Sequence, residues 1–101
     1  MTDATKALLA ANVGYASYTA APAAMQAIMD NCLSTAQTRL SGENSIDIDE
    51  TNPEDVSLLV MFAAWLFRSR ATGDAKPEML KSTIRQTQIR NALTEVPPNE
   101  L

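Results

Sequence analysis

Residues 52–70 read NPEDVSLLVMFAAWLFRSR, and the signals that start and stop a helix both lie within them. Asn52 has the short polar side chain that caps exposed amides at a helix start, and Pro53 suits the first turn, where its missing N–H costs nothing. Glu54 and Asp55 then place negative charge at the positive end of the helix dipole. From Val56 to Phe67 the chain is apolar almost all round, so the spacing predicts a helix buried on most sides. Arg68 and Arg70 bring cations to the negative end, and Gly73 follows as a stop. The longest uninterrupted apolar run, Leu58 to Phe67, is about half of what a membrane span needs. This stretch therefore predicts the central helix of a small helical fold.

Upstream, a second helix is expected from about Pro22 to Leu40. Met25, Ile28, Met29, Cys32, Leu33, Ala36 and Leu40 recur at helical spacing along one stripe, and Gly42 is the expected stop. A short first helix is expected over Thr5 to Asn12, capped by Thr2 or Asp3, with Ala7, Leu8, Ala11 and Val13 on its buried side. Between the second and third helices lies GENSIDIDETN, residues 42–52, an acidic loop in which Ile46 and Ile48 alternate with Asp47 and Asp49.

Downstream, a fourth helix begins near Lys76 or Pro77 and ends before Val96-Pro97-Pro98. Its apolar residues do not share a side. At 100° per residue Met79, Leu80, Thr83 and Ile84 fall on one face, and Ile89, Ala92, Leu93 and Val96 on roughly the opposite one. Either the helix breaks near Gln86 to Gln88 or its two halves pack on different partners. The expected architecture is all-α: a small bundle of about four helices with a long buried third helix, one domain over residues 1–96, and a flexible tail at 97–101. Its core should contain Leu8, Ile28, Met29, Leu33, Leu59, Phe62, Ala63, Leu66, Leu80 and Ile84.

Composition narrows the function classes. Apolar residues make up 46% of the 101, mostly helix-compatible Ala, Leu, Ile and Met, and three glycines leave few places for β-hairpins. The net charge of −4 argues against a general nucleic-acid binder. Cys32 has no second cysteine to pair with, which points to a reducing compartment. The opening MTDATKALLAANVGY has neither the charged start nor the apolar run of a secretory signal. A cytoplasmic, non-membrane protein is expected.

The chain offers little for catalysis. With no histidine, the commonest general base and the commonest metal ligand are both missing. One cysteine excludes the usual structural zinc sites, and glycines at 14, 42 and 73 cannot form a phosphate loop. Cys32 sits within an apolar stripe and reads as a small buried hydrophobe. The acids Glu43, Asp47, Asp49, Glu50, Glu54 and Asp55 lack the central glycine and the spacing of a calcium loop, so a solvated acidic loop is expected. No catalytic residue, cofactor or metal is expected, and the chain reads as a non-enzyme.

Charge is unevenly spread. Residues 43–55 hold those six acids and no base, whereas residues 68–90 hold six bases against Asp74 and Glu78. These are either ordinary solvated faces or complementary patches that meet across a subunit boundary. On the second reading a subunit or partner interface comprises Arg85, Ile89, Arg90, Leu93 and Val96, facing Asp47, Asp49 and Glu50 of a neighbour.

The stretch DVSLLVMFAAWLFRSRATGDAKPEMLKSTIRQTQIRNAL, residues 55–93, resembles the C-terminal half of the head–tail connector (adaptor) proteins of tailed bacteriophages. The features shared are an acidic start at Asp55, the apolar run to Phe67 with Trp65, the Arg68 and Arg70 pair, a loop holding Gly73, and Pro77 introducing a helix with a basic end. The front half is similar in layout. The chain departs from that pattern in the uncharged turn Tyr15 to Ala21 and in Leu66 and Phe67 after the tryptophan. The resemblance implies a virion protein assembled in the host cytoplasm. It would form a homo-oligomeric ring below the portal, extend the DNA channel without sequence-specific binding, and dock the next neck or tail completion protein. The alternative is a small cytoplasmic helical adaptor or regulator that binds one protein partner.

Overall fold

The computed structural model describes residues 1–95. Among them are four helices and no strand: α1 (Asp3–Asn12), α2 (Ala23–Asn44), α3 (Pro53–Ser69) and α4 (Glu78–Glu95). No helix among the described residues is long and apolar enough to cross a membrane. The expected small helical bundle with a buried third helix is the architecture observed. Val96 and the tail at 97–101 lie outside the described residues.

The central helix starts where its sequence indicates. The Asn52 side chain accepts a hydrogen bond from the Glu54 amide at 3.0 Å, with Pro53 in the first turn. Packing runs along nearly its whole length, and Leu58, Leu59, Phe62 and Ala63 are completely shielded from solvent. α3 touches all three other helices, so the core is arranged around it. Its last turn closes through the Gly73 amide, which donates to the Ser69 carbonyl at 2.7 Å from a left-handed φ of 67°.

The second helix outruns its expected stop. It continues through Gly42 to Asn44 and turns at Ser45, whose φ of 57° is left-handed. The Ile46 amide then bonds back to the Leu40 carbonyl at 2.9 Å. Ile46 is completely buried, so the stop is fixed by driving the following isoleucine into the core rather than by the glycine.

The face of α1 also differs from expectation. Thr5, Leu9 and Ala10 are buried, whereas Ala7, Leu8 and Ala11 face out and Val13 is half-buried. The reason lies in Thr5. Its hydroxyl donates to Glu50 Oε1 at 2.9 Å, so a polar residue is satisfied inside and rotates Leu9 inward instead of Leu8. Of the other expected core residues, Ile28 and Leu66 are half-buried and the remaining seven are buried.

α4 is one continuous helix across Gln86 to Gln88. It packs chiefly on α3 through Leu80, Ile84 and Thr87. The Thr87 hydroxyl donates to the Thr83 carbonyl at 2.8 Å, which lets a threonine take an inward position. Met79, expected on this inner face, is 72% exposed.

Candidate interaction surface

A straight α4 must present its second apolar stripe outward. Leu80 and Ile84 face α3, and at 100° per residue Ile89 and Leu93 lie on the far side. They are 55% and 65% exposed, and Ala92 beside them is exposed as well. Arg85 stands one turn before Ile89 on the same outward side, also exposed. Together these four residues make an apolar ridge with a cation at one end.

Arg90 belongs to a different structure. It turns from the ridge toward the start of α3, where Nη2 donates to Asp55 Oδ1 at 2.7 Å and Nη1 pairs with Glu54. These acids hold its guanidinium above its ordinary pKa, the hydrogen bond to Asp55 first and that to Glu54 second. The other Asp55 oxygen accepts from the Asp49 amide at 3.0 Å. The arginine expected to meet acids of an adjacent subunit therefore meets acids of its own chain. Antiparallel packing of α3 and α4 accounts for this, since it lays the end of one helix over the start of the other.

The acidic loop is likewise occupied within the chain. Glu50 accepts the Thr2 amide and the Thr5 hydroxyl, both at 2.9 Å, and so fastens the loop to the first turn of α1. The Thr2 amide above all lowers its pKa, against the opposing effect of burial. Asp49 Oδ1 accepts the Thr51 hydroxyl at 2.6 Å and the Thr51 amide at 2.9 Å, and the hydroxyl bond chiefly lowers its pKa. Exposed Asp47 accepts from the Ser41 hydroxyl at 3.0 Å. Asp49, Glu50 and Arg90 are thus parts of the framework, while Arg85, Ile89 and Leu93 point to solvent.

A second surface escaped the sequence reading. A cleft of about 380 Å³ between α1 and α3 is lined by Leu8, Val60, Met61, Ala64 and Arg68 among others. A second cleft of about 370 Å³, lined by Met61, Trp65, Arg68, Asp74 and Met79 among others, lies where α3 meets the loop into α4. Met61 and Arg68 border both, so this pair stands between the two clefts on the surface of α3. The walls of both are tied in place. Trp65 Nε1 donates to the Asp74 carbonyl at 3.2 Å, and Arg68 donates to the carbonyl and, at 3.0 Å, to the side-chain oxygen of Asn12. The signal in the sequence was the tandem pairs Leu8-Leu9 and Met79-Leu80. Adjacent helical residues point 100° apart, so one member of each pair turns inward and the other borders one of the clefts.

Chemistry is sparse at these surfaces. Cys32 is buried on α2, and burial raises its thiol pKa despite the nearby Arg70 cation. Among the described residues no three of His, Cys, Asp or Glu gather as metal ligands would. The surfaces can bind by shape, apolar contact and charge. No family model matches the chain, and neither a curated protein nor a solved structure does.

Proposed function

We propose that this chain is a non-catalytic assembly subunit of the head–tail connector kind that its sequence resembles. In this reading it forms a ring of identical copies below the portal of a filled phage head, extends the DNA channel, and offers a platform for the next neck or tail completion protein. Assembly takes place in the host cytoplasm, and the protein ends in the neck of the virion. DNA passes through without sequence-specific contact, in keeping with the net charge of −4.

The observation that carries the reading is the outward ridge of Ile89 and Leu93 on a helix already docked by its other face. Among the described residues nothing covers these side chains, and an apolar group left in water is unfavourable unless a partner covers it. The helix that displays them is pinned near its end by Arg90 on Asp55, so the ridge is presented in one orientation.

Co-expression with the portal protein encoded in the same genome, followed by electron microscopy of the purified particles, tests this. The reading requires a ring of this chain stacked on the portal. Portal particles that never carry the chain contradict it. Recovery of the chain in a one-to-one complex with a single other protein supports the small-adaptor alternative instead.

A further inference from the structure

The ridge on α4 has a counterpart on the same molecule. The cleft where α3 meets the loop into α4 is a concave, mainly apolar groove, bordered by Met61, Trp65, Pro77 and Met79, of which Met79 is 72% exposed. At its rim stands Asp74, whose carboxylate has no cation within ion-pair distance among the described residues. On the ridge, Arg85 has no carboxylate within that distance among the same residues. Among the described residues, then, a cation outside any ion pair flanks the convex apolar surface and an anion outside any ion pair flanks the concave one.

One chain cannot bring the two together. Leu80 and Ile84 dock α4 on α3, and the ridge lies on the opposite side of that straight helix. We propose that the groove receives the α4 ridge of a second copy of this chain, with Ile89 and Leu93 seated against Met61, Trp65 and Met79, and Arg85 paired to Asp74. An amphipathic helix laid in an apolar groove through residues four apart is a recurrent mode of recognition. Because ridge and groove are different surfaces, the contact is head-to-tail and leaves each copy free to bind another at both ends. This rests on the assembly reading above and adds to it the surface that receives the ridge.

Two blocked variants test it. Met79→Glu spoils the groove and keeps the ridge, and Ile89→Ser with Leu93→Ser spoils the ridge and keeps the groove. All three side chains are exposed, so thermal unfolding of each variant should match the parent; Ala75→Glu, at an exposed position of the same groove, serves as a second groove variant. In sedimentation up to about 1 mM, weak association on the affinity scale, the parent should self-associate and each variant should be monomeric. Mixed, the two variants should form a dimer of twice the 10.9 kDa chain mass and nothing larger, since each supplies the one surface the other lacks. Trp65 is the single tryptophan and lines the groove, so its emission should shift in the mixture and not in either variant alone.

Charge reversal adds a specific check. Asp74→Arg or Arg85→Asp alone should weaken association by about fivefold, in the range of an exposed ion pair, and the two together should restore it. A parent that stays monomeric at about 1 mM, a groove variant that associates like the parent, or a mixture that stays monomeric each overturns the proposal. If only the groove variants associate normally, the receiving surface is wrong and the ridge remains an assembly surface. If the ridge variant also associates normally, the assembly reading fails with it.

Discussion

Asp55 and Arg90, thirty-five residues apart, join with Nη2 2.7 Å from Oδ1, and this contact fixes where α4 lies on α3. The carboxylate is shielded from solvent, while the arginine keeps about a third of its side chain exposed. Asp55 also stands in the first turn of α3, where the helix dipole favours its charge, and its second oxygen holds the Asp49 amide. One side chain therefore ties the acidic loop, the central helix and the last helix together.

Removing its partner should cost stability. Arg90→Ala leaves a buried carboxylate with the amide of Asp49 but without its cation, and a loss of about 1.5–3 kcal/mol is expected for a hydrogen bond to a charged group. Urea unfolding measures it. A change below about 0.5 kcal/mol, the range of ordinary surface substitutions, would show that the pair does not fix α4.

The centre of the core lies at Phe62. The ring is completely buried, meets Trp65 edge-on with centroids 5.6 Å apart, and has the Arg39 guanidinium 5.4 Å from its centroid. Phe62→Ala should destabilise by about 3–5 kcal/mol, as large deletions from close-packed cores do. A loss under about 1 kcal/mol in urea unfolding contradicts a central α3.

Glu50 gives the fold an acid sensitivity of known sign. Its folded pKa lies below the ordinary 4.5, so its contribution is complete above that value and is lost as pH falls through the folded pKa. Glu50→Gln removes this term. Stability of the parent should therefore fall more steeply with acid below pH 4.5 than that of the variant. Parallel curves in that window would show that the tie from Glu50 to Thr2 and Thr5 contributes nothing.

Cys32 should react slowly with a thiol reagent in the native state and rapidly in denaturant. Burial on α2 hides the sulfur and raises its pKa, which lowers the thiolate fraction at neutral pH. Fast native labelling contradicts that placement.

The helix count and the central position of α3 were legible because periodicity and capping act locally. Asn52, Pro53 and the run from Val56 carried their own instructions, and the stripe from Met29 to Leu40 did the same for α2. What the sequence hid depended on partners far along the chain. Thr5 looks like a surface residue until Glu50 arrives to accept its hydroxyl, and that single contact rotated α1 and put Leu8 outside. The extension of α2 past Gly42 likewise depended on the core space that accepts Ile46. At the candidate surface, helical geometry set Ile89 and Leu93 opposite Leu80 and Ile84, and only the unbroken α4 decided that they point outward rather than bend into the core. The role of Arg90 did not, because a charge has no periodicity, and only the antiparallel docking of α3 and α4 showed which acids it would reach.

The central claim is that Ile89 and Leu93 serve contacts beyond the single chain. The most direct measurement pairs thermal unfolding of Ile89→Ser with Leu93→Ser against its incorporation on portal particles seen by electron microscopy. The account predicts an unfolding midpoint within a few degrees of the parent and no ring on the portal. A double variant that unfolds would place this stripe in the core, and one that folds and still forms the ring would show that the ridge has no part in assembly.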